Sequence, residues 1–295
     1  MAFVRRLLVV SVLAGASLAC GGRADDTPAA PVTTLRMLTY NVLADEVHVR
    51  ERVPELLRIL RESEADIIAL QEVAPWFAET LLREEWTAAY QRARQNGRTV
   101  LAREFIVLSR FPVVDHEIIV LPSHQRRTAF SVTLDIDGVQ TAVATTHLDS
   151  LLEDGPIRAQ QLDAIFVHLA KFEEAVFLGD LNFGDGEQPD SAHLSPEYRD
   201  AWLALRSSEP GFTWNIEKNP WARRESFPDE PSRRLDRILM KSTRWTPTSI
   251  SILGDKPVPG KRKDIFPSDH FGLIAEFARV NGGDRSAVAA GQSTR

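Results

Sequence analysis

The chain has 295 residues, 43% of them hydrophobic and 26% charged, with a formal charge of −6. These fractions exclude a disordered chain and a multi-span membrane protein. The acidic balance excludes a general coater of nucleic acid, whose affinity comes from neutralising phosphates, so any polyanion must be held locally by a metal and a few arginines.

The first 20 residues read as an export signal: Arg5 and Arg6 form a basic start, and Leu7 to Leu18 is mostly apolar but too short to span a bilayer. Cys20, the only cysteine, resembles the acceptor of a bacterial lipoprotein signal, with Ser17 where leucine is usual. Anchoring at the cell envelope through a lipid on Cys20 is expected, with plain secretion the alternative. One cysteine allows no internal disulfide, so the fold must rest on its core. Without the signal the chain carries 33 basic and 41 acidic groups. Residues 21–34 (GGRADDTPAAPVTT) are small and polar and read as a tether. A single domain is expected over 35–278, followed by a polar tail over 279–295.

Within that domain, Leu35–Tyr40 reads as a strand, and Val47–Glu64 carries Val53, Leu56, Leu57 and Leu60 at helical spacing. Ile67–Leu70 is a compact strand, and Pro75–Glu85 a helix with proline in its first turn. Strands are expected at Phe105–Leu108, Glu117–Leu121 and Ala129–Asp135. Asp137-Gly138 is a hairpin turn that returns the chain as Val139–Thr146. Helix Ile157–Leu169 and strand Ala175–Leu178 follow. After a loop-rich stretch come strands at Leu235–Met240, Ser249–Leu253 and Gly272–Phe277. Many strands with a few intervening helices predict two sheets covered by helices.

The informative feature is where polar residues fall. Asn41, Gln71-Glu72, His147 and Gly179-Asp180-Leu181-Asn182 each follow a buried-looking strand; Asp236 opens another, and Ser268-Asp269-His270 precedes the last. Each has an ordinary reading by itself: a turn asparagine, a solvated glutamate, a core histidine. Together they supply carboxylates, amides and two histidines with no thiolate, which suits a hard cation with oxygen ligands rather than zinc.

These residues carry a family resemblance. Asn41 in LTYNVLAD, Glu72 in LQEV, His147 in TTHLDS, GDLN at Gly179–Asn182, RLDRIL at Arg234–Leu239 and SDHFGL at Ser268–Leu273 occur in the order seen in endonuclease/exonuclease/phosphatase proteins. The chain is most similar to the 5′-tyrosyl-DNA phosphodiesterase branch. His147-Leu148-Asp149-Ser150 differs from that branch's His-Leu-Glu-Ser only at Asp149, and Phe212-Thr213-Trp214 fits its aromatic element. Phe266-Pro267-Ser268-Asp269-His270-Phe271 has Phe271 where tryptophan is usual. Inositol-polyphosphate 5-phosphatases instead carry Pro-x-Trp-x-Asp-Arg-Ile-Leu, where this chain has Ser-Arg-Arg-Leu before Asp236.

The resemblance implies a four-layered α/β sandwich, with two mixed sheets face to face and helices outside. It implies a Mg²⁺ or Mn²⁺ positioned by Glu72 with help from Asn41 and Asp269. Asp180 would deprotonate the attacking water, with Asn182 fixing its geometry. His270, held by Asp236 as an imidazolium, and His147 would donate hydrogen bonds to the phosphoryl oxygens. Ser150 would bind phosphate, and Trp214 would stack on a base or on the leaving aromatic group, plain core packing being the alternative. Arg158 and Gln161 are read as structural, Arg233 and Arg234 as either a source of positive potential or a solvated charge pair, and His48, His116, His124, His168 and His193 receive no role. The expected partner is a phosphodiester substrate, nucleic acid included; no protein partner is expected, and the chain is read as a monomer. An inositol-phosphate phosphatase or sphingomyelinase-like phospholipase is the alternative, and a non-catalytic binding module on the same fold the third class. The complete motif set argues against the last. An exported enzyme would not meet chromosomal tyrosyl-DNA adducts, which separates this chemistry from a repair role.

Overall fold

The computed structural model describes residues 30–95, 98–100 and 102–280. The expected signal with Cys20, most of the tether and all but the start of the tail therefore lie outside the described residues. Among the described residues, no helix is long and apolar enough to cross a membrane.

In chain order the elements are β1 (Thr34–Asn41), α1 (Val49–Glu62), β2 (Ile67–Gln71), α2 (Pro75–Arg83), β3 (Arg94–Gln95), β4 (Arg98–Thr99), β5 (Ile106–Ser109), β6 (Val113–Val120), β7 (Thr128–Ile136), β8 (Val139–His147) and α3 (Gly155–Leu169). After them come β9 (Glu174–Asp180), β10 (Arg199–Asp200), α4 (Ala201–Arg206), α5 (Pro220–Glu225), β11 (Asp236–Lys241), β12 (Trp245–Leu253) and β13 (Gly272–Arg279). A five-stranded sheet has the order β12-β13-β1-β2-β5, and a six-stranded sheet the order β10-β11-β9-β8-β7-β6; β3 and β4 form a separate ribbon. In each sheet one parallel pair, β1–β2 or β8–β9, is flanked by antiparallel neighbours.

Period-two alternation explains why these strands stack into layers. In β1, Leu35 and Met37 join Ile67 and Ala69 of β2 and Val176 and Leu178 of β9 in the core between the sheets. Leu38 and Tyr40 point the other way, onto Val53, Leu56 and Leu60 of α1. Ala142, Ala144 and Phe177 likewise pack on Leu162, Ile165 and Leu169 of α3. Leu56 and Leu60 are fully buried, each contributing roughly 1.5–3 kcal/mol. The result is the expected four-layered sandwich.

Several boundaries differ from expectation. β6 starts at Val113 rather than Glu117, because a bulge between Val113 and Asp115 breaks the alternation that would have marked it. The loop-rich stretch holds β10, α4 and α5, none longer than six residues; their signals are caps, with Asp200 accepting from Trp202 N and Leu203 N and Asn219 from Trp221 N. β13 runs on to Arg279, and Val280 N donates to Arg244 O at 2.7 Å, so pairing reaches past the expected domain end at residue 278.

Candidate active site

On the inner face of each central strand, apolar residues give way to polar ones toward one end of the sandwich. β1 runs Leu35, Met37, Thr39, Asn41; β2 runs Ile67, Ala69, Gln71; β8 runs Val143, Thr145, His147; and β9 runs Val176, Leu178, Asp180. Gln71 Nε2 donates to Thr39 Oγ1 at 3.0 Å and to Thr145 Oγ1 at 2.8 Å, a polar tie between the sheets just beneath the mouth. Parallel pairing brings the strand ends level: Asn41 lies opposite Gln71, and His147 opposite Asp180. Antiparallel β11 delivers Asp236 opposite Asp180. At Gly179, with φ 143°, a Cβ would come within 2.3 Å of Thr146 O, so only glycine lets β9 approach β8 this closely. Glu72, directly after β2, and Asn182, two residues beyond the end of β9, both take the left-handed conformation at φ 56°.

Asp180 is the centre, and it is fully buried. His147 Nε2 and His270 Nε2 each stand 3.5 Å from its Oδ2, which also accepts from Asn41 Nδ2 at 3.0 Å. Burial pushes the Asp180 carboxyl up, but His270, His147 and the Asn41 bond outweigh it and hold the group below the usual range. His270 Nδ1 lies 2.8 Å from Asp236 Oδ2. Burial disfavours its charge; Asp180 and Asp236 overcome that and raise its pKa well above the ordinary value. Asp236 itself is raised, chiefly by burial, and its Oδ1 has no partner. Thr213 Oγ1 accepts from the N–H groups of Leu235 and Asp236, both at 3.0 Å, fixing the start of β11.

His147 has neighbours outside every motif. Arg127 Nη1 lies 2.8 Å from its Nδ1, and Glu104 Oε2 3.3 Å away. Burial lowers its pKa, while the Asp180 charge and the Glu104 bond raise it further than burial lowers it. A guanidinium has only donors, so in the neutral ring Nδ1 accepts from Arg127 and Nε2 carries the hydrogen. In the charged ring Nδ1 donates to Glu104. Either way Nε2–H faces Asp180.

Asn41 Nδ2 also donates to Glu72 Oε1 at 2.9 Å, and its Oδ1 accepts from Leu43 N at 3.1 Å. It thereby aligns Glu72, whose Oε2 takes Ala44 N at 3.0 Å. Asp269 is pushed up to about 6, mainly by burial and further by the nearby Glu72 carboxylate, against His270. Two acids crowded in this way, with oxygen donors only, fit a hard divalent cation held by Glu72 and Asp269. Asn219 Nδ2 clamps the carbonyls of Ser268 and Asp269, both at 2.9 Å.

Glu72, His147, Ser150, Asp180, Asn182, Trp214, Asp269 and His270 all line one cleft of ≈ 210 Å³; Asn41 and Asp236 sit behind it. Asn182 Nδ2 is fixed on Leu148 O at 2.9 Å. Ser150 is half-buried and shares hydrogen bonds with Gln125. Trp214 is buried among Ala222 and Leu235 with its ring centroid 5.0 Å from that of His270, and its Nε1 is unpartnered. Arg158 and Gln161 are structural, holding Asp149 and its loop. The expectation for Arg234 fails: it is buried against Asp185 and Asp200 and does not reach the cleft. Arg233 lines the cleft but is neutralised by Glu187 and Glu230. Arg127 lines the cleft too but pairs with Glu104, so positive charge at the site comes instead from the two imidazoles.

The endonuclease/exonuclease/phosphatase family model matches residues 38–270. Tyrosyl-DNA phosphodiesterase 2 of Xenopus laevis is 29% identical over 254 residues, 81% of this chain and 65% of the relative; the Mus musculus protein is 27% identical over 259 residues, 84% and 67%. The chain thus spans about two thirds of the length of these relatives. Among solved structures, D. rerio tyrosyl-DNA phosphodiesterase 2 complexed with single-strand DNA product superposes with a TM-score of 0.70 at 21% identity, covering 83% of this chain and 99% of that one. The human Nocturnin catalytic domain with bound sulfate gives 0.61 at 21% identity, covering 84% and 97%. The fold is shared with both.

Proposed function

We propose that this chain, which belongs to the endonuclease/exonuclease/phosphatase family, is a divalent-metal-dependent phosphodiesterase acting on nucleic-acid phosphodiesters, 5′-tyrosyl-DNA esters foremost. The observation that carries this reading is one buried carboxylate flanked at 3.5 Å by the Nε2 atoms of two imidazoles. In this mechanism Asp180 orients the attacking water and takes its proton, and Asn182, locked on Leu148, sets the line of attack. His147 and His270 donate through Nε2 to oxygens that gain charge in the pentacovalent transition state. Asp236 keeps His270 charged and aimed. Ser150 binds a non-bridging oxygen at the rim, and Trp214, in the cleft wall, meets the leaving group or a base. A Mg²⁺ or Mn²⁺ held by Glu72 and Asp269 neutralises phosphoryl and leaving oxygens when bound.

A substrate panel with Mg²⁺ tests the reading: 5′-phosphotyrosyl DNA, plain single-stranded DNA, an inositol polyphosphate and sphingomyelin. Turnover of the first two is expected; turnover confined to either of the last two overturns it.

The proposal also takes residues 1–20 as a signal and the mature chain as a monomer anchored at the envelope by a lipid on Cys20. Full-length protein in a bacterial host should be processed and sediment with membranes, and Cys20→Ser should release it or block processing. A wholly cytoplasmic, unprocessed product refutes that part alone.

A further inference from the structure

Acidic groups outnumber basic ones 41 to 35, yet one face is basic. Arg94, Arg98, Arg103 and Arg126 are all exposed, and among the described residues none has a carboxylate within ion-pair distance, whereas Arg110 and Arg127 of the same stretch pair with Asp66 and Glu104. Arg103 Nη1 donates to Arg126 O at 3.0 Å, joining the base of the β3–β4 ribbon to the turn before β7. Ala93 and Ala102, which flank the ribbon, are buried in the same inter-sheet core as Phe130 and Val132 of β7.

β6 is the free edge of the six-stranded sheet, paired on one side only, with β7. Alternation sorts its side chains. Glu117 and Ile119 turn toward α3, Glu117 reaching His168 at 3.5 Å and Ile119 joining the α3 cluster, and Asp115 shares their parity. His116, Ile118 and Val120 take the opposite face, His116 meeting the ring of Phe130. Of these, Ile118 is 43% and Val120 81% exposed. Val120 pairs with Thr128, two residues from Arg126. Arg126 therefore stands beside an exposed apolar strip from which the strand's two acids are turned away, and Arg103 ties to it the ribbon that carries Arg94 and Arg98.

We propose that this face docks the protein on a bilayer bearing anionic headgroups. Guanidinium forks match phosphate oxygens bidentately, and branched aliphatic side chains between them enter the interfacial layer, which charge alone does not require. Single-strand nucleic-acid platforms interleave basic groups with exposed aromatics, and this strip offers valine and isoleucine instead. Pairing of β6 with a second copy would use the strand edge but leave the arginines without counter-charge. Because Arg126 adjoins Arg127 of the cleft, docking brings the site to the membrane surface.

The test compares full-length protein on vesicles of phosphatidylcholine alone and mixed with phosphatidylglycerol. The apolar N-terminal segment contributes to both, so the increment on adding the anionic lipid is the quantity read. Phosphatidylglycerol should raise partitioning at least tenfold at low salt, at about fivefold per arginine, and high salt should remove the increment. Arg94→Gln/Arg98→Gln/Arg103→Gln/Arg126→Gln should abolish it, Val120→Glu should weaken it, and both should hydrolyse a soluble diester within twofold of the parent. Should the quadruple variant not fold, hydrogen-exchange protection of residues 113–126 on anionic vesicles of the parent decides the matter, and no protection overturns the proposal. An increment unchanged in the quadruple variant overturns it too. Loss of oligonucleotide binding or of soluble turnover with vesicle binding intact assigns the face to nucleic acid; a dimer abolished by Val120→Glu assigns it to a second copy.

Discussion

Asp180 is held anionic by its neighbours, and that decides what its replacement should do. Asp180→Asn keeps the shape and removes the proton acceptor, so turnover should fall by about 10²–10⁴. His147→Ala removes an Nε2 donor aimed where charge develops, and should cost on the order of 10²–10³ in kcat with little change in ground-state binding. His193→Ala is the control: its ring pairs at the surface with Asp163, 2.9 Å away, and its kcat should match the parent. Losses below threefold in folded Asp180 and His147 variants would favour the binding-module reading. The pH dependence has a definite sign. His270 has a folded pKa raised above its ordinary 6.5, so its charged form contributes fully below about 6.5, and the contribution disappears as pH rises through the folded value. Asp180 has a lowered folded pKa, so its contribution is present above about 3.9 and lost as pH falls through the folded value. Activity should therefore hold across neutrality and decline on an alkaline limb. Asp236→Asn should shift that limb toward neutrality in a pH–rate profile; an unmoved limb would detach it from the His270–Asp236 pair.

The two central units, β1-α1-β2 and β8-α3-β9, share one device. The fourth residue of each crossover helix is a buried arginine that grips the loop leaving the preceding strand. Arg52 donates to the carbonyls of Val42, Leu43 and Val47 at 2.8–2.9 Å, and Arg158 to those of Asp149 and Leu151 at 3.0 and 2.7 Å. Arg158 also meets buried Asp190 at 2.7 Å. Arg158→Met leaves that acid uncompensated and should cost about 3–5 kcal/mol in urea unfolding, with part of it recovered in Arg158→Met/Asp190→Leu. A loss under about 1 kcal/mol would show that the loop is held by other bonds. Much of this level was legible in the sequence, because strand ends and turns are local signals. The Asp137-Gly138 turn sets the β7–β8 register, which pairs Ala129 with Thr146 and brings Arg127 close to His147, though no motif marks Arg127. Glu104 and the Asn219 clamp on Ser268 and Asp269 were not legible: each acts across elements distant in the chain, and Asn219 announces itself only as a cap before Pro220. Arg234 reads as surface charge because its buried partners, Asp185 and Asp200, lie 49 and 34 residues away.

At the scale of the whole molecule, two sheets bring Glu72, Asp180, Asp236 and Asp269 to one mouth, and the fold must tolerate their mutual repulsion. His270 and His147 answer Asp180 and Asp236, while Glu72 and Asp269 remain opposed. Asp269 rises from 3.8 to about 6, so the native state binds more protons than the unfolded chain between those values. Metal-free protein should therefore lose stability from this group as pH climbs from about 4 to about 6. A divalent cation bound by the native state reverses the effect, adding about 2.7 kcal/mol at a hundredfold excess over Kd, or roughly 5–10 °C in Tm for a domain of this size. EDTA should abolish hydrolysis, and Mg²⁺ or Mn²⁺ should restore it together with the Tm shift. Glu72→Gln separates the two effects. Relieved of like-charge repulsion, it should melt at or above the parent in EDTA, yet gain little from Mg²⁺ and stay inactive. Full activity in EDTA would remove the metal from the chemistry. A Glu72→Gln variant that keeps the whole Mg²⁺-dependent shift would move the cation away from Glu72 and Asp269.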